Sequence, residues 1–164
     1  MEYRLGRLED IDKITNLISD AIKEMELNGI HQWDEIYPTK EDFLDDISKS
    51  NLYVVMDGEK LAAIYVISSE SDDAYTKVNW QYPNETAYIL HRFCVSPHYQ
   101  NKGLGKQLLM HIETQIREMG YQSIRLDVFT ENPYAQKLYR HNGFEARGYA
   151  DWRKGRFELM EKCI

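Results

Sequence analysis

The feature that most constrains the fold is an alternation of strand-like and helix-like stretches along the chain. "TAYILHRFCV" has the apolar run of a strand, and the stretch after it places Leu108, Ile112 and Ile116 at helical spacing. Strand-like stretches that follow one another directly, such as "LYVVMDGEKLAAIYVIS", predict hairpins, whereas others are separated by helices. We therefore expect an α/β (α+β mixed) fold, with a mixed, mostly antiparallel twisted sheet of about six to seven strands flanked by about four helices.

The remaining elements follow from apolar spacing and from turn signals. A strand is predicted in "EYRLGR", and apolar residues from Ile11 to Met25 follow helical spacing until Asn28-Gly29 breaks the helix. "SIRLDVF" is predicted as a strand, and "FEARGYADWRKGRFELMEKCI" as a closing hairpin. A hairpin turn is predicted at Asp57-Gly58, and a helix start at Thr39. The apolar face of the helix with Leu108, Ile112 and Ile116 is predicted to include Met119, and Gly120 to end that helix. A further helix is predicted from Asn132-Pro133 to Gly143.

Length and composition narrow the class of protein. The chain has 164 residues, of which 43% are apolar and 29% charged, as is typical of one globular domain with a single core. The net charge of −7 argues against nucleic-acid binding, which needs clustered positive charge. No apolar stretch is long enough to cross a bilayer, and "MEYRLGRLED" lacks a signal peptide's apolar core, so we expect a cytoplasmic protein without a membrane partner. Cys94 and Cys163 have no metal-ligand spacing, and we expect both to be reduced, with no metal bound.

A glycine-rich, basic turn lies between the strand and the helix, in "SPHYQNKGLGKQLL". Gly103 and Gly105 let the backbone approach a ligand closely, and the first N–H groups of the following helix have no partner within it. With the helix dipole and nearby lysines, these groups form an anion site; the alternative is a permissive connection between strand and helix. A P-loop is excluded because Gln107 follows Gly105-Lys106, and a dinucleotide fingerprint is excluded because Leu108 stands where its third glycine belongs.

Two motifs together resemble the GCN5-related N-acetyltransferase (GNAT) family. The first is Gln-x-x-Gly-x-Gly after a Val-x-Pro-like strand end, with Gln100 where the family more often has Arg in a similar position. The second runs through "TENPYAQKLYRHNGFEARG" and comprises Asn132, Ala135, Leu138, Tyr139, Gly143 and Phe144. The motifs occur in family order and spacing, and "GIHQWDEIYP" resembles a stretch of bacterial members. The resemblance covers nearly the whole chain and implies one N-acetyltransferase domain over residues 1–164 that uses acetyl-CoA (coenzyme A).

The resemblance also assigns residues to the cofactor. Backbone N–H groups of the turn are expected to bind the pyrophosphate, and the backbone of Phe93 and Val95 to pair with the pantetheine arm like an added strand. An N–H of this strand end is a candidate oxyanion donor, and Cys94 is expected to be a small buried hydrophobe rather than a nucleophile. Asn132 has helix capping as its alternative role. The predicted cofactor-binding residues are Phe93, Cys94, Val95, Gln100, Asn101, Lys102, Gly103, Leu104, Gly105, Lys106, Asn132, Ala135, Lys137 and Tyr139.

Tyr139 and His91 are the predicted catalytic residues. A phenol with a pKa of about 10 stays protonated at neutral pH and can donate to a departing thiolate, which makes Tyr139 the candidate acid. Its alternative is a core aromatic role, because it shares a helical face with Ala135 and Leu138. His91 alternates with Phe93 and Val95 along the strand, so all three are expected on one face, and an imidazole is a candidate base near neutral pH. The alternatives are that His91 is a packed strand histidine, or that an ordered water chain replaces a side-chain base.

The acceptor is expected between the loop joining the first two helices and the closing hairpin, as the resemblance implies. Aromatic walls with nearby carboxylates suit an ammonium group, although Trp33 and Tyr37 have anchoring of the loop on the core as their alternative. The long polar stretch "SESDDAYTKVNWQYPNE" is expected to be functional or mobile, with Trp80 and Tyr82 over the same cleft. The predicted substrate-binding residues are Trp33, Tyr37, His91, Tyr149 and Trp152, with Ile30, His31, Gln32, Asp34, Glu35 and Asp151 nearby.

The sequence therefore predicts acetyl-CoA-dependent transfer of an acetyl group to a primary amine of a small molecule or peptide. Acetylation of a protein N-terminus or lysine is an alternative, and nothing in the sequence separates a polyamine from an aminoglycoside or an amino acid. An acyl-CoA-binding sensor without turnover is a second class, which would keep the phosphate turn but tolerate losing Tyr139 and His91. Both a monomer and a homodimer are compatible with the sequence.

Overall fold

The structure, a computed structural model, describes residues 1–164 and contains seven strands and four α-helices. In chain order these are β1 (Glu2–Leu5), α1 (Ile11–Leu27), α2 (Lys40–Ser48), β2 (Leu52–Asp57), β3 (Lys60–Ser68), β4 (Ala87–Val95), α3 (Leu104–Glu118), β5 (Ser123–Phe129), α4 (Pro133–His141), β6 (Glu145–Trp152) and β7 (Gly155–Cys163). Short 3-10 helices cover Leu8–Asp10, Asp73–Lys77, Asn84–Thr86 and Pro97–Tyr99. None of the helices has the length and apolar character needed to cross a membrane.

The strands form a mixed sheet in the order β1-β2-β3-β4-β5-β7-β6. β4 and β5 are parallel, with Ala87 opposite Ser123 and Ile89 opposite Arg125, because the helical crossover α3 connects them. The β1–β2, β2–β3, β5–β7 and β6–β7 pairs are antiparallel. The predicted mixed, mostly antiparallel sheet with four helices is therefore confirmed.

The chain divides into two compact units, a first unit of residues 1–67 and 92–104 and a second unit of residues 68–91 and 105–164. In the first unit, apolar residues of α1, α2, β2 and β3 pack into one core cluster, which includes Ile14, Phe43, Leu52 and Ile64. The Thr39 side chain accepts a hydrogen bond from the Asp42 N–H, so the predicted cap of α2 is confirmed. The β2–β3 hairpin turns after Asp57, as predicted.

The second unit contains the hairpin of β6 and β7, in which Trp152 pairs with Gly155. Tyr75, Ile89, Ala150 and Leu159 form its smaller apolar cluster, and Val78, Trp80 and Trp152 pack against that cluster. The Asn132 side chain accepts from the Ala135 N–H and Pro133 begins α4, as predicted. The closing hairpin and the helix cap are thus both confirmed.

Met119 departs from the predicted apolar face of α3. Leu108, Ile112 and Ile116 are fully buried, but Met119 is 46% exposed because α3 ends at Glu118. Gly120 follows with φ of +97°, the left-handed conformation that ends a helix. The prediction of a single N-acetyltransferase domain over residues 1–164 stays a prediction.

Candidate active site

The turn after β4 has an unusual backbone. Asn101 and Gly103 both have left-handed φ values, +62° and +76°, and α3 begins directly afterwards at Leu104. A Cβ at Gly103 would meet no atom within 4 Å, so the backbone conformation rather than crowding favours glycine there. Left-handed residues next to helical ones direct successive N–H groups to one side, which is the arrangement of an anion-binding nest. The turn therefore fits a phosphate group.

Side chains of the same turn brace it from within. Gln100 Nε2 donates to the Val95 carbonyl at 3.2 Å, and Lys102 Nζ donates to the His98 carbonyl at 3.3 Å. Tyr99 donates from its hydroxyl to Asp57 Oδ2 at 2.7 Å, which ties the turn to the β2–β3 hairpin. Gln100 and Lys102, both predicted to contact the cofactor, thus stabilise the conformation of the turn. The backbone N–H groups of the turn are the candidate donors to an anion.

Gly105 lies in the first turn of α3 without a steric reason to be glycine. A Cβ there would lie 3.4 Å from Leu138 Cδ2, which is ordinary van der Waals contact, and its φ is not left-handed. Glycine inside a helix is less favourable than alanine by roughly 0.5–1 kcal/mol. What it provides is a bare backbone at a helix N-terminus, where anions bind. Lys106 beside it is exposed.

Strand β4 itself contains a further left-handed residue, Arg92, with φ of +44°. Side chains alternate between faces only along extended backbone, so the predicted shared face of His91, Phe93 and Val95 does not follow across Arg92. Cys94 is buried and belongs to the first unit's core cluster, and burial raises the pKa of its thiol to about 12. The prediction that Cys94 is a small buried hydrophobe is therefore confirmed.

Arg92 makes an ion pair that the sequence did not predict. Its Nε and Nη2 donate to the two carboxylate oxygens of Asp46 at 2.8 and 2.6 Å, and its Nη1 donates to the Tyr37 hydroxyl at 2.9 Å. We call this set the Arg92 network. Burial lowers the pKa of Arg92, but its hydrogen bonds to Asp46 and Tyr37, together with the charge of Asp46, outweigh burial and hold the pKa above its ordinary value. The network ties the loop before α2 to β4.

His91 is half-buried in the second unit, close to the end of β3. Its Nε2 lies 3.0 Å from the Glu70 carbonyl oxygen and 3.2 Å from Ser68 Oγ. Ser68 Oγ also accepts from the Glu70 N–H at 3.2 Å, which bends the chain immediately after β3. The predicted base thus contacts the last residue of β3, Ser68, and the start of the long polar loop at Glu70.

Tyr139 lies on α4 and is buried, with its ring edge-on to Phe144 at a centroid distance of 5.7 Å. Asn132 Oδ1 caps this helix, Ala135 is half-buried and Lys137 is exposed. Tyr75 interacts electrostatically with Tyr139, and the Tyr75 hydroxyl donates to Asp127 Oδ2 at 2.7 Å. Burial and Asp127 together raise the pKa of Tyr75 well above its usual range, so this phenol stays protonated.

The loop predicted to contact the acceptor lies mostly against the first unit. Trp33 packs on the core cluster and Ile30 is buried, which agrees with the anchoring alternative for Trp33. Asp34 Oδ1 accepts from the N–H groups of Ile36 and Tyr37 at 3.0 and 3.3 Å, so its carboxylate shapes the loop. Gln32 is half-buried, and His31 and Glu35 are exposed.

The hairpin predicted to contact the acceptor lies in the second unit. Tyr149 is exposed and its ring lies under the Arg156 guanidinium, 5.4 Å from it. Asp151 forms an ion pair with the same Arg156 at 3.0 Å, so this carboxylate already has a cationic partner. Trp152 packs on Phe157 at a centroid distance of 4.9 Å.

A second buried arginine network holds the long polar loop. Arg125 donates to the Tyr82 carbonyl and to Asn84 Oδ1, each at 2.7 Å, and its guanidinium lies 4.4 Å from the Trp80 ring centroid. The Glu161 carboxylate accepts from the N–H groups of residues 81 and 82, at 3.0 and 3.2 Å, and from Arg147 Nε at 3.0 Å. We call this set the Arg125 network. It fixes Trp80 and Tyr82 within the second unit.

Sequence reasoning missed Arg92, Asp46, Ser68, Arg125 and Glu161. A usable signal was present for the two arginines and for Glu161, because each interrupts an apolar strand: "ILHRFCV", "SIRLDVF" and "FELMEKC". A charged residue at a buried strand position must be paired. The identity of each partner was not readable, since Asp46 and Glu161 lie far from their partners along the chain.

The chain is similar to several known proteins. Over 159 residues the chain is 28% identical to the uncharacterized N-acetyltransferase YesJ of Bacillus subtilis, covering 95% of this chain and 86% of YesJ. A spermine/spermidine N(1)-acetyltransferase of Bacillus subtilis is 36% identical over 64 residues, which cover 38% of this chain and 42% of that protein. The PaiA N-acetyltransferase of Thermoplasma acidophilum, solved in complex with coenzyme A, has the same fold, with a TM-score of 0.74, 21% identity and coverage of 99% and 98% of the two chains.

A family model also matches most of the chain. The acetyltransferase (GNAT) family model covers residues 15–144, which include the glycine-rich turn, His91, Asn132 and Tyr139. The two motifs that suggested this family from the sequence lie within that match, and the seven-stranded mixed sheet is the fold of the solved relative. The chain belongs to the acetyltransferase (GNAT) family, and is an N-acetyltransferase that uses acetyl-CoA.

Proposed function

We propose that this enzyme acetylates a primary amine of a small molecule, with the glycine-rich turn holding acetyl-CoA, Tyr139 as the acid and His91 as the base. The observation that carries the cofactor part of the proposal is the pair of left-handed residues, Asn101 and Gly103, directly before α3. Their N–H groups, with those of Gly105 and Lys106 at the helix N-terminus, are the proposed ligands of the pyrophosphate.

Acetyl-CoA, when bound, supplies the acetyl group as a thioester and leaves as coenzyme A with a free thiol. The backbone of Phe93 and Val95 is the proposed partner of the amide groups in the pantetheine arm. Asn132 is proposed to contact the cofactor through its side chain, in addition to accepting the capping hydrogen bond from the Ala135 N–H. Lys102 and Lys137 are exposed and are proposed to meet the phosphates of the cofactor.

Tyr139 is proposed to hold the proton that the departing sulfur takes up. A phenol is protonated at neutral pH, and its hydroxyl is the only polar group of this side chain. We expect Tyr139→Phe to keep the ring packing on Phe144 and to lower kcat severalfold or more, while the midpoint of urea unfolding stays close to that of the wild type. An unchanged kcat would assign Tyr139 to the core alone.

The acceptor is proposed to be a cationic amine. The partial similarity to a spermine/spermidine acetyltransferase supports this class, although it covers 42% of that relative. The net charge of −7 favours encounter with cations, since a protein's summed charge attracts ligands of opposite sign. Tyr37 and Tyr149 are the exposed aromatic candidates for contact with an ammonium group.

The direct test is an acceptor screen. The full chain is incubated with acetyl-CoA and single amines, including spermine, spermidine, aminoglycosides, amino acids and peptides, and both free thiol and acetylated product are measured. We expect turnover with at least one small cationic amine. Turnover only on peptides would move the enzyme to the protein-acetylating class, and tight coenzyme A binding without product from any amine would support the sensor class.

A further inference from the structure

His91 contacts a group that can only accept a hydrogen bond. The Glu70 carbonyl oxygen lies 3.0 Å from Nε2, and a backbone carbonyl carries no hydrogen. The hydrogen of this bond must therefore belong to Nε2. In the other neutral tautomer, the Nε2 lone pair would face the carbonyl lone pairs at the same distance, which is electrostatically unfavourable.

Ser68 contacts the same ring nitrogen beside the Glu70 carbonyl. Its Oγ lies 3.2 Å from Nε2 and 3.5 Å from the Glu70 carbonyl oxygen, to which it donates, and it accepts from the Glu70 N–H at 3.2 Å. When the Ser68 hydroxyl donates to the carbonyl, its Oγ faces Nε2 with a lone pair, which accepts from an Nε2–H. Ser68 is buried, whereas His91 is half-buried and Glu70 is exposed.

We propose that Ser68 and the Glu70 carbonyl fix neutral His91 as the Nε2–H tautomer, so that Nδ1 is the atom that accepts the proton from the acceptor amine. This rests on the proposed function for the base role, but the tautomer stands on geometry alone. Protonation at Nδ1 leaves the Nε2–H bond in place, and that bond becomes charge-assisted in the imidazolium. Ser68 is thus a positioning residue, which acts through the carbonyl it holds.

The tautomer is measured directly by NMR. The full chain is labelled with ¹⁵N-histidine and studied at alkaline pH, where imidazoles are neutral, and His91 is identified by the signal lost in His91→Gln. We expect a proton-bearing nitrogen at Nε2 and an unprotonated one at Nδ1. The opposite pattern would overturn the proposal, whatever the activity of the enzyme.

Ser68 is tested with matched variants. We expect Ser68→Ala to shift the tautomer ratio toward Nδ1–H and to lower kcat roughly threefold to tenfold, the size expected for one lost hydrogen bond. Ser68→Thr keeps a hydroxyl and should restore both, and Ser69→Ala, at the exposed neighbouring position, is the control. Unchanged tautomer ratio and kcat in Ser68→Ala would refute its positioning role.

The base role is separated from the tautomer by two amide substitutions. The Gln amide nitrogen can reach the position of Nε2 and donate to the Glu70 carbonyl, whereas the shorter Asn amide reaches only the position of Nδ1. We expect kcat to fall by roughly a hundredfold or more in both, as for loss of a general base, while His91→Gln unfolds closer to the wild-type urea midpoint. Unchanged turnover in His91→Gln, with the Nε2–H tautomer seen in the wild type, would contradict the base role and leave the tautomer standing.

Discussion

The Arg92 network and the Arg125 network solve the same problem in different ways. Each places an arginine on a sheet strand and uses it to fix a loop that carries aromatic side chains. Arg92 forms a direct bidentate pair with Asp46 through Nε and Nη2, and its Nη1 donates to the Tyr37 hydroxyl. Arg125 Nε lies 3.6 Å from Glu161 Oε2 and has no hydrogen-bond partner, so this network spreads its bonds over backbone groups and a second arginine.

The pKa values of Arg92 and Arg125 shift in opposite directions. Burial lowers the pKa of Arg125 below its ordinary value, because the charge of Glu161 at 3.6 Å compensates only part of the lost hydration. In Arg92 the hydrogen bonds outweigh burial, so its pKa is raised. The direct pair with Asp46 therefore stabilises the charge of Arg92, while a distributed network depends on every member. Substituting Glu161, which the members of the Arg125 network share, should therefore lower the free energy of unfolding more than substituting Asp46 in the Arg92 network.

The largest expected effect is that of Glu161→Gln. This change leaves Arg125 and Arg147 without their shared counter-charge in a buried place, and weakens the acceptor of two loop N–H groups. We expect the free energy of unfolding in urea to fall by about 3–5 kcal/mol, as for a broken buried pair. Glu145→Gln is the control, because that exposed carboxylate also pairs with Arg147 and should matter little. A loss as small as the control's would contradict the comparison.

Asp46→Asn should have a smaller effect. Burial raises the pKa of Asp46 and outweighs the hydrogen bonds and charge of Arg92, which lower it. The native carboxylate is therefore itself costly to keep charged. The Asn side chain retains one acceptor for Arg92, and Tyr37 still binds the guanidinium. We expect a loss of about 2 kcal/mol in the same urea experiment. Asp45→Asn, which removes only an exposed pair with Lys49, is the matched control.

Trp80→Phe sharpens the comparison within the Arg125 network. The variant keeps an aromatic ring beside Arg125 but loses the indole N–H, which donates to the Tyr75 carbonyl at 2.8 Å. We expect a loss of about 1 kcal/mol, the net worth of one hydrogen bond, measured by urea unfolding. Faster amide hydrogen exchange in residues 73–86 should accompany it, and exchange rates equal to those of the wild type would count against the anchoring role.

Tyr37→Phe should have the smallest effect on stability. The ring is partly exposed, and the substitution removes the bond from Arg92 Nη1 while the pair of Arg92 with Asp46 remains. We expect a loss of about 0.5 kcal/mol in unfolding free energy. The Michaelis constant for the amine acceptor is the second measurement, with Tyr149→Phe as the comparison from the second unit. A loss equal to that of Asp46→Asn would show that Tyr37, not the ion pair, holds the loop.

Secondary structure was predictable because its signals are local. The Thr39 cap, the Asn132-Pro133 start of α4 and the turn after Asp57 each depend on residues within a few positions. Met119 was assigned wrongly because apolar spacing continues past the residue where α3 ends. The long polar loop was expected to be functional or mobile, and nothing local indicated that Tyr75 and Trp80 would be bonded into the second unit.

The sequence by itself determined the family, the order of strands and helices, and the glycine-rich turn, because motif spacing and turn chemistry act over short stretches. Only the tertiary structure decided that Arg92 adopts a left-handed backbone, which breaks the alternation expected around His91. It also decided which groups meet the ionisable side chains: Asp46 for Arg92, Glu161 for the loop N–H groups, and the Glu70 carbonyl for His91. Burial requires such groups to have partners, but the fold chooses those partners, since they come from distant parts of the chain.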